Sequence, residues 1–217
     1  MSYDYVFIHN PKTGGDTITA LLDIKKTHTH IYLRKDEILN KYSFVFVRHP
    51  VTRIISWYNH LLKHLYFEDL ETNELNDRSE SYKCLKNNCK MGPDKHRILA
   101  ENNNINDWIK KMFLDIDKYK DPDWGPLSLQ HNYVYDLDCK TQLVTDVYRF
   151  ENYEEELKKA LIEIEREDLI KHIKVTNHSK SYCHCLSNEI LNKQSLDLIY
   201  NYFKKDFELF NYKIDFT

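Results

Sequence analysis

Only four glycines occur in the 217 residues, and two of them stand side by side at Gly14 and Gly15. Cysteine is nearly as sparse: Cys84, Cys89, Cys139, Cys183 and Cys185 form an odd set at irregular spacing. That excludes a disulfide framework of the kind small secreted domains use, while a Cys84–Cys89 loop and free thiols both stay open. No CxxC pair is present, and Cys183, His184 and Cys185 follow one another directly. Neighbours in an extended chain point to opposite faces, so the spacing does not suit tetrahedral zinc, and no metal is expected. Long apolar runs are missing too; none approaches the ~20 residues a spanning helix needs. Nor does a basic stretch followed by an apolar one open the chain, so the expectation is a soluble, cytoplasmic setting without a membrane segment. Positive charge is not in excess, with a net charge of −3 and a pI near 6.4. Nucleic acid is therefore not an expected partner, and any polyanionic ligand must be held by a local positive site.

What is present suits one globular domain over residues 1–217, at 41% hydrophobic and 13% aromatic residues. YDYVFIHN is apolar and β-branched, as a buried strand would be, and DTITALLDI has helical spacing with Asp16 or Thr17 placed as an N-cap. HTHIYL (28–33) reads as a short second strand, and RKDEILNKY as a helical link. SFVFVR (43–48) is an apolar run typical of a strand buried on both faces, after which Pro50 opens a helix. This β-α-β-β-α order predicts an α/β three-layer sandwich with a central parallel sheet. A polar, charged texture from about 68 to 104 reads as a surface insertion. Beyond it, INDWIKKMFLDI reads as a helix, DPDWGPLSLQHNY as a loop and TQLVTDVYRFEN as containing a strand. NYEEELKKALIEIERED is a clear amphipathic helix with Asn152 as cap, and a last helix spans about 187 to 207.

Two loops carry the chemistry. In FIHNPKTGGDTIT a strand, a lysine-glycine turn and a helix start form an anion cradle, because backbone N–H groups and the helix dipole point at the ligand. The GxxxxGK[ST] pattern of P-loop nucleotidases is absent, since the lysine precedes the glycines. In FVFVRHPVTRIISWYNH, Arg48 ends a strand and Ser56 follows eight residues on, a pair able to grip a phosphate from two sides. Arg53 is left open between that phosphate and the helix surface. Two anion sites at the carboxyl ends of parallel strands fit a nucleoside with phosphates at both ends.

These motifs carry a resemblance. IHNPKTGGDT is similar to the 5′-phosphosulfate loop of sulfotransferases that use 3′-phosphoadenosine-5′-phosphosulfate (PAPS), and VRHPVTRIISWY to their 3′-phosphate loop. WGPLSLQHNYV, VYRFENYEEEL and YNYFKKDFELFNY resemble later segments of the carbohydrate, uronyl 2-O-sulfotransferase-like branch. The resemblance implies a P-loop-like sulfotransferase fold and transfer of sulfonate from PAPS to an acceptor hydroxyl, on a glycan, with no metal. It also admits a Golgi lumen if a leader has been removed. It implies that Lys12, Thr13, Gly14, Gly15, Asp16 and Thr17 cradle the 5′ end, with Lys12 neutralising the bridging oxygen. Arg48 and Ser56 would hold the 3′-phosphate, Ser179 and Lys180 with Asn177 a lid, and Trp124, Gln130 and His131 the acceptor or the order of their own loop. The family carries a hydroxyl residue where Asp16 stands, and a carboxylate beside a phosphate is unfavourable unless it points away.

Sulfonyl transfer also needs a base with a pKa near working pH, which suits histidine. His28 and His30 alternate, so a strand presents both on one side, and the resemblance implies one as base and one as acceptor-orienting partner. Asp36 or Glu37 is the carboxylate rival; His9 is expected to be structural, and Trp57, Tyr58 and His60 to be mostly core packing. Two other functions stay open: a PAP-binding module without turnover, and a P-loop kinase.

Overall fold

The computed structural model of the chain describes residues 5–62, 94–119, 125–173 and 191–214. Three strands, β1 (Tyr5–Ile8), β2 (Tyr42–Val47) and β3 (Asp146–Arg149), pair in parallel in that order. Phe7 lies opposite Phe44, and Phe46 opposite Tyr148, so one face of the sheet is aromatic. The alternate residues Val6, Ile8, Val45 and Val47 make the other face aliphatic, as the period of two requires. Both faces are covered, which is why β2 reads as a continuous apolar run.

Helix α1 (Gly15–Leu22) packs Ile18 and Leu22 on the aromatic face, beside Leu157, Ala160 and Leu161 of a later helix. The aliphatic face is closed by 3-10 turns and loops that supply Ile31, Tyr133, Val134, Val144 and Phe210. Each buried phenylalanine or leucine stabilises the fold by roughly 2 kcal/mol relative to exposure. After the short α2 (Lys35–Ile38) and β2, Pro50 opens α3 (Pro50–Leu61), where His49 Nδ1 accepts from the Val51 amide at 3.3 Å. Helices α4 (Asp94–Glu101), α5 (Ile105–Leu114), α6 (Ile116–Tyr119), α7 (Tyr153–Glu163) and α8 (Lys193–Leu209) complete the helices used below. A second core joins α3, α4, α5 and α8 around Ile54, Trp108, Ile109, Ile199 and Phe203.

Five expectations change. Residues 28–30 are irregular and 31–33 form a 3-10 turn, so no second strand forms there. The segment is held by side chains instead: Ile31 is fully buried, and His30 packs edge-on against Tyr133 with ring centroids 5.0 Å apart. The first helix is capped by Gly14 in the left-handed region, φ 82°, with no side-chain cap, so neither Asp16 nor Thr17 fills that place. Asn152 likewise makes no side-chain cap bond to α7. The carboxyl end of the polar stretch is part of the fold, since α4 sets His96 and Ala100 in the helical core. Helix α8 starts at Lys193, where Asn192 accepts from the Ser195 amide at 2.9 Å, and kinks at Phe203. Cys84, Cys89, Cys183 and Cys185 lie outside the described residues.

Candidate active site

Strand β1 ends at Ile8, and the next six residues form a compact loop into α1. Lys12 and Gly14 both take positive φ, 67° and 82°, a conformation that is free for glycine and strained for lysine. Thr13 is fully buried and donates its hydroxyl to the Asn10 carbonyl at 2.8 Å. Among the described residues, the amides of Thr13, Gly14, Gly15 and Asp16 have no acceptor; the first return bond runs from the Thr17 amide to Gly14 O at 3.1 Å. Four donors in succession at a helix start without a side-chain cap form a ready anion site. The glycines serve a second purpose: a Cβ on Gly14 would lie 2.5 Å from the Tyr153 ring, and one on Gly15 would lie 2.2 Å from the His9 ring. Tyr153 also donates its hydroxyl to Gly14 O at 2.8 Å.

Arg48 stands at the end of β2 and joins the two loops. Its Nη1 donates to Lys12 O at 3.2 Å and its Nε to Thr52 Oγ1 at 3.0 Å, while the guanidinium lies 4.2 Å over the Phe150 ring. Burial lowers its pKa to about 10, so it stays charged at neutral pH. Ser56 is half-buried on α3, one turn beyond Thr52 on the same side of the helix.

Arg53 does not lie on the helix surface; protein acceptors hold its guanidinium. It is wholly buried, donating to Pro11 O at 2.9 Å, to Ser128 O at 3.0 Å and to Asn10 Oδ1 at 3.3 Å. Asn10 in turn donates to Phe46 O and to Gln130 Oε1. Gln130 Oε1 also accepts from the Arg48 amide, and its Nε2 donates to Arg48 O at 2.7 Å. The backbone amides of Gln130 and His131 both donate to the buried Asp206 of α8, and His131 Nδ1 lies 2.7 Å from the same carboxylate. Gln130 and His131 are thus buried and engaged in a brace between loops, where the sequence had also allowed acceptor contact.

The two histidines singled out part company. His28 is half-buried, with its ring 4.4 Å from that of His9 and its Nδ1 3.2 Å from His9 O. A carbonyl only accepts, so Nδ1 carries the hydrogen in this contact and Nε2 is left as the basic nitrogen. Burial lowers the His28 pKa, which keeps the ring neutral near pH 7. His30 is buried elsewhere, on the aliphatic face, with Nδ1 3.0 Å from the Tyr32 hydroxyl. His9 is buried and pushed down to about 3, chiefly by that burial and then by His28. Asp16 points outward and pairs with Lys26.

The sulfotransferase family matches the chain over residues 12–213. The chain belongs to the sulfotransferase family. That match takes in the lysine-glycine turn, the Arg48 loop, Gln130 and α8, and makes the protein an enzyme of sulfonate transfer. Neither a curated relative nor a solved structure matches it. In this sulfotransferase, Lys12, Thr13, Gly14, Gly15, Thr17, Arg48 and His28 come together at the carboxyl end of the sheet, whereas His30 faces the core. Trp124, Asn177, Ser179 and Lys180 lie outside the described residues. Among the described residues, no group of three His, Cys, Asp or Glu side chains is arranged to hold a metal, and no helix is long and apolar enough to cross a membrane. Tyr153, Phe150, Asn10 and Lys26 escaped sequence reasoning; their contacts are long-range and leave no local spacing to find.

Proposed function

We propose that this sulfotransferase, as a single domain of P-loop-like fold, transfers the sulfonate of PAPS to an acceptor hydroxyl, with a carbohydrate as acceptor class. The observation that carries this reading is the run of four amides without acceptors at the start of α1, beside the charged Arg48 at the end of the neighbouring parallel strand. Amides of residues 13–16 and the Thr17 hydroxyl receive the 5′-phosphosulfate, and Arg48 with Ser56 receives the 3′-phosphate. Lys12 neutralises the bridging oxygen as the S–O bond breaks. His28 Nε2 takes the acceptor's proton as the acceptor oxygen bonds sulfur, and adenosine 3′,5′-bisphosphate (PAP) leaves. The likeness to phosphoryl transfer is mechanistic: in-line displacement, with positioning and charge as the protein's contribution. Gln130 and His131 are assigned to the brace instead of the acceptor, because the Gln130 side-chain amide and His131 Nδ1 are already engaged.

Calorimetric titration with PAP tests the donor site, with Mg·ATP as comparison and Arg48→Ala as control. Micromolar PAP binding without metal, lost in the variant, supports the proposal. Binding of Mg·ATP with none of PAP replaces it with the kinase reading. PAP binding with no turnover across sugar, phenol and alcohol acceptors leaves a nucleotide-binding module.

A further inference from the structure

Asp16 is an anomaly in the proposed donor site: a carboxylate in the first turn of the helix whose amides face an anion. The structure shows what accompanies it. Helix α1 ends at Leu22, and Asp23 follows with φ 51°, the left-handed residue that reverses the chain, with the Ile24 amide donating to Thr19 O at 3.0 Å. Residues 24–30 then run irregularly back toward the start of α1. Two of them dock there. Lys26 Nζ pairs with Asp16 Oδ1, and two residues later His28 sets its Nδ1 on His9 O at 3.2 Å. His9 closes the group, with Nε2 4.0 Å from the same Asp16 oxygen and its ring against Gly15.

We propose that the Lys26–Asp16 pair is a pin with two effects: it cancels the Asp16 charge beside the donor anion, and it fixes the linker that carries His28. Lys26 is thus a positioning residue for donor and base alike, and this rests on the donor reading above. The carboxyl group supports it, being held down at about 2 by the Lys26 ammonium paired with it. Side-chain exposures of 46% for Lys26 and 67% for Asp16 place the pair at the surface, where an ion pair contributes little to folding. Its removal is therefore read in binding and rate, not in melting.

Three variants, Lys26→Met, Asp16→Asn and the double variant, test the pin by PAP calorimetry, steady-state rates and ¹⁵N NMR of the His28 imidazole. Lys26→Met should weaken PAP binding about tenfold, as one uncompensated charge near a phosphate would. Asp16→Asn, which leaves the Lys26 charge unopposed, should bind PAP as tightly as wild type or up to about tenfold more tightly, and the double variant, its local charge again balanced, should bind within about threefold of wild type. Both single variants should lower kcat and blur the Nδ1–H signature of His28, with melting temperature unchanged. A double variant that binds PAP as weakly as Lys26→Met alone overturns the pin, because Lys26 would then touch the ligand itself. Unchanged His28 signals in both single variants also overturn it, whatever the binding data. Failure of the wild type to bind PAP would sink the donor reading and the charge-cancelling effect with it, while the NMR arm still decides the positioning effect alone.

Discussion

At Gly15 there is no room for a methyl group, because the His9 ring already occupies the place at 2.2 Å, and at Gly14 the Tyr153 ring does so at 2.5 Å. Gly15→Ala should therefore displace His9, and with it His28, costing PAP affinity and rate together in calorimetry and turnover assays. Tyr153→Phe keeps the ring and removes only the hydroxyl donated to Gly14 O. A loss of about 1 kcal/mol in PAP binding is expected from calorimetry. Protonation gives separate tests. A base whose folded pKa is lowered stays competent through neutral pH, so kcat/KM should be level from pH 7 upward. It should fall on acidification with an inflection below imidazole's ordinary 6.5, and His28→Ala should remove that limb. His9 goes from 6.5 unfolded to about 3 folded. Between those values the unfolded chain binds the extra proton, so stability is full above 6.5 and declines as pH falls toward 3. Urea unfolding at stepped pH checks the sign, and His9→Asn should flatten the slope.

Among the elements, α3 does more than follow β2: it delivers Arg53 beneath both loops. Its guanidinium satisfies the carbonyls of Pro11 and Ser128 in a site with no solvent exposure. Arg53→Met keeps the stem and strands those acceptors, so a loss of about 3 kcal/mol or more is expected in denaturant unfolding. The role of Arg53 was not legible in the sequence, because helical spacing says which side a residue faces and not whether that side meets solvent or a second loop. The strands β1 and β2 and helix α5 were legible, their apolar periods matching their burial. Residues 28–33 were not: alternating His-Thr-His-Ile-Tyr-Leu satisfies a strand's period, yet a strand exists only where a neighbour offers a ladder. Here buried Ile31 and His30 anchor the segment instead. The loop from Lys12 to Gly15 was legible as an anion cradle because its chemistry is local. The brace that holds it was hidden, because each of its bonds joins distant parts of the chain.

Taken whole, the molecule gathers its ends on Gln130. Asn10 reaches it across 120 residues and Asp206 across 76, and Asp206 is buried with its oxygens shared between the Gln130 and His131 amides and the His131 ring. Asp206→Ala should both lower the unfolding midpoint, by about 3 kcal/mol in equilibrium stability, and weaken PAP binding, although no ligand contact is removed. Asp206→Ala binding PAP like wild type would show that the loops order themselves without α8. The brace also sets a timetable for synthesis. Chains fold from the amino end as they emerge, at roughly 5–20 residues per second, so both loops leave the ribosome long before the residues that lock them. A nascent chain lacking α8 has both loops and lacks the carboxylate that anchors their Gln130–His131 brace. On the donor reading proposed above, a chain cut short upstream of Asp206 should therefore fail to retain PAP in calorimetry, although both loops are present in it.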